Sequence, residues 1–223
     1  MTGSERLHIS NRSGSIRVTA APGAAFDVDG GELERDPEGG LRVRNRASGS
    51  IDVRCPEGTD LVIGTISGTV DVHGPAGAVK VATVSGKVNV ERAGEVDVRT
   101  KSGNVAVGAC AGDCHVVVTS SDVTVGEAAR ASVASVSGRV AVDRLDDAEV
   151  KTVSGTVELG ARGGGQVSVR TVSGNVEVSV PTDRAPVTRL KSFSGKVACD
   201  CASGTDGEVR VKTMSGAIRV RCR

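Results

Sequence analysis

Aliphatic and polar residues alternate with period two in short bursts along almost the whole chain, and each burst follows a serine. Three residues after that serine stands Ile16, Ile51, Val70, Val88, Val105, Val123, Val140, Val157, Val176, Val197 or Ile218. Two further on stands Val18, Val53, Val72, Val90, Val107, Val125, Val142, Leu159, Val178, Cys199 or Val220. The residue between them is mostly polar or small, as in Arg17, Asp52, Asn89, Ala141, Glu158 and Arg219. This alternation predicts a strand with one buried face, and β-branched residues suit that pleated surface. A second short strand precedes each serine, with inward positions that include Ile9, Ile63, Val81, Val98, Val116, Val133, Val150, Val169, Leu190 and Val211.

The bursts belong to one repeat, T-x-S-G-x-V-x-V. It reads TISGTVDV at 65–72, TVSGKVNV at 83–90, TVSGTVEL at 152–159 and TVSGNVEV at 171–178. The anchor serines are Ser13, Ser48, Ser67, Ser85, Ser102, Ser120, Ser137, Ser154, Ser173, Ser194 and Ser215. From Ser48 the steps are 19, 18, 17, 18, 17, 17, 19, 21 and 21 residues. One such unit cannot bury its own apolar row, so units must stack into a continuous core. The fold expected is all-β: a single-domain parallel β-solenoid of about 10–11 coils, 17–21 residues each. At ~4.8 Å per layer it makes a rod roughly 50 Å long. A propeller blade needs about 40 residues, and a sandwich would not hold one motif in phase through eleven copies.

Each unit reads as strand, Ser-Gly corner, strand, second corner. Glycine at the first corner supplies backbone angles that cost other residues energy. Ser121-Asp122 replaces the usual Gly-x pair, so a strained or reshaped corner is expected there. Gly126–Ala131, the one weak helical candidate, reads as a corner.

The spacing breaks near both ends. Residues 1–47 read as N-terminal coil and irregular capping insertion, and 48–223 as the regular repeats. Within the insertion Phe26 and Val28 are expected to pack on the first layers, with Glu32–Gly40 an exposed loop. A solenoid needs such a cap. Because the chain stops just after a strand, the last coil, Met214–Cys222, is expected to be an open edge ready to pair.

Composition narrows the function. With 28 basic and 27 acidic residues there is no basic excess for nucleic acid. Phe26 and Phe193 are the only aromatics, against stacked bases or sugars. MTGSERLHIS has no apolar core of a signal peptide, and no apolar run approaches the roughly 18 residues of a membrane span. A cytoplasmic protein with no direct membrane span is expected. Its six cysteines are then free thiols, and neither they nor His8, His73 and His115 have metal-site spacing. No cofactor or metal is expected.

The S-G-x-V-x-V coils and the opening RLHISNRSGSIRVTAAPG resemble the bacterial β-strand-repeat family labelled "putative adhesin", also called the toastrack domain. The resemblance covers essentially the full length. It implies a β-solenoid without known catalysis, often attached to a membrane segment or paired with membrane or regulatory partners.

Four constellations remain. The residue before each serine reads Ile66, Val84, Lys101, Thr119, Val136, Val153, Val172, Phe193 and Met214. Either the strand bends and turns these inward, or they form an exposed apolar stripe that marks a partner site. Thr65, Thr83, Thr100, Thr152, Thr171 and Thr213 fall on the core side, where a hydroxyl ladder bonded between coils is expected rather than an ice-binding row. Asp52, Asp71 and Asn89 stack as one outward column; carboxylates ~5 Å apart can hold Ca²⁺ or shift a pKa, although a solvated face suffices. Cys201 and Cys222, each seven residues after its serine, should lie within disulfide range as stacked thiols.

The sequence therefore points to a non-catalytic interaction module, a rigid solenoid that binds a protein partner or itself through the stripe or the C-terminal edge. The alternative is a polysaccharide-active enzyme or ligand-binding protein on the same scaffold, which would need acids and bases clustered in a groove.

Overall fold

The structure, a computed structural model, describes residues 5–36, 39–45 and 49–223. Every regular element among them is a β-strand, and successive coils pair in parallel register, so the chain is a parallel β-solenoid. Ser48 lies outside the described residues. The chain divides into two compact units, Met1–Gly112 and Asp113–Arg223.

The first unit contains β1 (Arg6–Ser13), β2 (Ile16–Ala21), β3 (Asp27–Asp29), β4 (Glu32–Arg35), β5 (Leu41–Arg44), β6 (Ile51–Pro56), β7 (Asp60–Ser67), β8 (Val70–Ser85) and β9 (Val88–Ser102). Stacking puts like on like: Ile63 pairs with Val81 and Val81 with Val98, all buried. Each such burial contributes roughly 1.5–3 kcal/mol. The strands after the serines stack the same way, Val70 on Val88 and Val72 on Val90. β8 and β9 run on through what the sequence suggests is a second corner, with Ala76 paired to Ala93. That stretch adds a third inward row of small residues, which shows no alternation to read.

The corner glycines are required twice over. Gly86 has φ +150°, and a Cβ there would lie 1.9 Å from the carbonyl oxygen of Gly68. At the Ser121 corner the backbone has changed shape instead: among the described residues only glycines have positive φ. The N–H of Arg139 donates to Asp122 Oδ1 at 2.9 Å there. The threonines are buried, but they do not bridge coils. Thr100 Oγ1 donates to the Ser102 carbonyl in its own coil at 2.9 Å, and Thr65, Thr83, Thr152 and Thr213 do likewise. The turn leaves that carbonyl within reach, so the hydroxyl satisfies it locally. It is the serines that reach across layers, as when Ser154 Oγ donates to the Val136 carbonyl at 3.4 Å.

Layer order departs from sequence order. β1 pairs with β5 on one side and β7 on the other, and β2 pairs with β6 and β8. The first coil in sequence is thus inserted between the second and the third. Arg17 thereby comes between Asp52 and Asp71 and binds Asp52 at 3.3 Å. The expected column of adjacent carboxylates does not exist, because the inserted cation separates them. Asn89 Nδ2 donates to Asp71 Oδ1 at 2.5 Å. The outer edges of β5 and β6 carry antiparallel strands, β4 on β5 and β3 on β6. Of the exposed loop expected at Glu32–Gly40, residues 32–35 are instead the strand β4, although its side chains are exposed; residues 37 and 38 lie outside the described residues. Phe26 and Val28 are half-buried.

β10 (Val105–Ser120) contains the division between the units. The second unit continues with β11 (Val123–Ser137), β12 (Arg139–Ser154), β13 (Thr156–Ala161), β14 (Gln166–Ser173), β15 (Val176–Val180), β16 (Val187–Ser194), β17 (Val197–Cys199), β18 (Glu208–Ser215) and β19 (Ile218–Cys222). Residues 126–131 lie within β11 and are not helical; the inward–outward alternation breaks there, at 126–127 and 129–130. The same exchange recurs here. β18 pairs with both β14 and β16, and β19 with both β15 and β17. The expected open edge at Met214–Cys222 is therefore internal. Among the described residues, nothing pairs with the outer side of the β16–β17 layer. The longer 21-residue steps explain how: segments 181–186 and 200–207 supply the chain that steps past one layer and back. Arg221 then reaches Glu177 at 3.1 Å.

Candidate interaction surface

Among the described residues, the residue before each serine faces outward. Alternation persists to the corner, so the strand does not bend and these side chains do not turn in. In the first unit Ile66 and Val84 stand 51% and 44% exposed, and the row ends at exposed Lys101. In the second unit the row is unbroken over five layers: Val136, Val153, Val172, Met214 and Phe193, with exposures of 48, 49, 48, 60 and 87%. The ladder fixes their succession, since Ser154 pairs with Ser173, Ser173 with Ser215, and Ser215 with Ser194.

Two residues upstream, on the same outward face, a basic row runs beside it. Lys151 pairs with Arg170, Arg170 with Lys212, and Lys212 with Lys191, all exposed. Lys151 is held by Glu149 at 2.7 Å. That hydrogen bond, the charge of Lys151 and the more distant Arg170 lower the Glu149 pKa. Arg170, Lys191 and Lys212 have no ion pair among the described residues. Each member of this row stands three before its serine, so aligning the repeats on that column reveals it; reading only for apolar stripes does not.

A shallow groove of about 320 Å³ lies elsewhere on the second unit, lined by Arg139, Asp143, Glu158, Glu177, Ser179 and Arg223 among others. Glu158 and Glu177 are adjacent in register. Each already has a cation: Arg139 Nη2 lies 2.5 Å from Glu158, and Arg221 pairs with Glu177. The bond and charge of Glu158 in turn raise the Arg139 pKa. Paired carboxylates with committed cations are not a poised acid and base. Among the described residues no group of three or more His, Cys, Asp or Glu is arranged to hold a metal ion.

The cysteines separate into kinds. Cys201 and Cys222 are joined in a disulfide across adjacent layers, with Cα atoms 5.2 Å apart, so these two are not the free thiols expected. Cys55, Cys110 and Cys114 are buried, whereas Cys199 is exposed in the uncovered layer and fills no core space. Burial raises the Cys55 thiol pKa, partly offset by a hydrogen bond with Thr59. No helix among the described residues is long and apolar enough to cross a membrane.

A family model described as Toastrack DUF4097 matches residues 8–222. No curated protein matches the chain. Among solved structures, one described as a "putative adhesin" from Bacteroides fragilis aligns at a TM-score of 0.50 and 9% identity, covering 98% of this chain and 93% of that one. Another of that description, from Parabacteroides distasonis, aligns at 0.36 and 8% identity over 98% and 93%. A cell adhesion protein, also described as putative, from Clostridium sporogenes aligns at 0.25 and 10% identity over 99% and 93%. At such identities the first of these speaks for the fold.

Proposed function

The chain belongs to the Toastrack DUF4097 family, and on that premise we propose that it is a non-catalytic interaction module whose lateral contact surface is the apolar row of the second unit. The observation that carries this reading is the row itself: five aliphatic or aromatic side chains on successive layers, each about half exposed or more. Such continuity is unusual on a surface with no use for it. The groove at Glu158 and Glu177 offers catalysis nothing comparable, since both of those glutamates are held by arginines.

A second copy of the chain suits this row. Two copies related by a two-fold axis along the row lay aliphatic on aliphatic and place their basic rows on opposite flanks, which avoids like-charge contact. Light scattering on size-exclusion fractions over a range of concentrations tests it. The expected result is a mass that rises with concentration for the native chain. The Val153→Asp, Val172→Asp double variant should stay at monomer mass with an unchanged thermal unfolding curve. A native chain that remains monomeric throughout removes the second copy as partner, and a variant that unfolds places these residues in the core.

A further inference from the structure

We infer that the uncovered layer β16–β17 is an acceptor for an extended partner strand of acidic–apolar–acidic pattern, added antiparallel to the free edge of β16. This deepens the reading of the chain as an interaction module and rests on it. The chemistry of the missing strand is written in the chain's own first unit. There β5 presents Arg42-Val43-Arg44, with Val43 in the core row and both arginines outward. Its outer edge is closed by β4, whose Glu32, Leu33 and Glu34 stand opposite Arg44, Val43 and Arg42. Leu33, itself 39% exposed, stands opposite buried Val43, and glutamates stand opposite both arginines; the carboxylate that Arg42 binds is Asp36 of the same arm, at 2.7 Å. Directly opposed pairs of that kind stabilise a sheet, and like charges destabilise it.

β16 repeats the acceptor half of this arrangement. Arg189-Leu190-Lys191 occupies the same coil positions, with Leu190 in the core row above Val211; exposed Arg189 shares Glu208 of β18 with Arg210 at 3.0 Å, and Lys191 has no ion pair among the described residues. Among the described residues nothing pairs with the outer edge of β16 or β17. Leu190 is only half-buried, and Val197 and Cys199, core positions in every covered layer, are exposed here. An unpaired edge with an apolar floor and outward cations fits strand addition, in which main-chain hydrogen bonds give affinity and alternate side chains give selectivity. A second copy of β16 is the wrong occupant. The antiparallel register that stacks the two Leu190 side chains puts Arg189 opposite the other copy's Lys191.

The test is peptide binding to the full chain, read by fluorescence anisotropy. The probe is a labelled peptide of residues 27–36, DVDGGELERD, and the control carries lysine at both glutamates of ELER. The expected result is binding of the acidic peptide about ten-fold or more tighter than the control, from two cross-strand pairs reversed in sign. The Arg189→Glu, Lys191→Glu double variant should invert that preference, while Lys80→Glu, at an exposed cation on β8 of the first unit, should leave it unchanged. Hydrogen exchange should slow over 187–194 on binding. Equal binding of both peptides, or protection located at 41–44, overturns the inference. So does failure of both peptides together with self-association that Leu190→Ser abolishes, which makes a second copy the occupant, or with sedimentation on phosphatidylglycerol vesicles, which makes it a membrane surface. Failure of both peptides with no other binding also overturns it. The lateral-row reading is judged separately, by the Val153 and Val172 variants.

Discussion

Ile51 and Val53, in the layer of β5 and β6, are 0% and 2% exposed; Val197 and Cys199, at the same coil positions in the layer of β16 and β17, are 46% exposed and exposed. The side chains have similar character and the coil plan is the same. What differs is the next layer. In the first unit β3 and β4 return antiparallel and close the core. In the second, the chain spends its last coil inserting β18–β19 beneath the terminal layer and leaves that layer bare. An inward-facing residue is thus buried by its neighbours in the stack, not by its place in the repeat. Where the neighbour is missing, core chemistry becomes surface chemistry.

The sharpest way to break the comparison is to put a charge at matched positions. Ile51→Asp buries an unpaired carboxylate and should cost at least about 4 kcal/mol, enough to unfold the first unit. Val197→Asp should cost less than about 1 kcal/mol, because its side chain already meets water. Urea unfolding followed by circular dichroism measures both, and equal losses would mean that the β16–β17 layer is covered after all. Next in size is the Cys201–Cys222 bond, which closes a 21-residue loop around the exchanged layers. Its reduction should lower the local stability of residues 187–222 by about 2–4 kcal/mol. Hydrogen exchange with and without reductant should show that change there and none over residues 5–36, since Cys55 and Cys110 of the first unit are not disulfide-bonded. The smallest effect belongs to the cap. Glu32→Lys with Glu34→Lys should lower the unfolding free energy by about 1 kcal/mol, from two opposed pairs turned repulsive. The midpoint of urea unfolding reads this, and an unchanged midpoint would remove charge pairing as the selector of the covering strand.

Much of the molecule can be read from residue order alone. The serine spacing, the alternation of Val70, Asp71 and Val72, and the corner glycines specify a stacked parallel sheet, and the ladders have that register. The outward stripe was ambiguous because alternation and a bent corner make opposite demands on Val153 and Val172; the exposed side chains resolve it. The basic row beside it is visible only when the repeats are aligned three residues before each serine.

Which layer follows which was not legible, for a definite physical reason. Every coil presents the same inward rows, so Ile9 packs as well on Val43 as on Ile63, and in the structure it does both. Degenerate packing leaves the order to weaker and more distant terms: connection length at 181–186 and 200–207, the alternation of Asp52, Arg17 and Asp71, and the return of β3 and β4 over an edge. The last two of those terms exist only between residues brought together by the fold, and connection length alone permits more than one order. The sequence by itself determined the coil, its faces and its corners, because these are local and repeated. Only the tertiary structure decided which layer is last, and with it which core residues meet solvent.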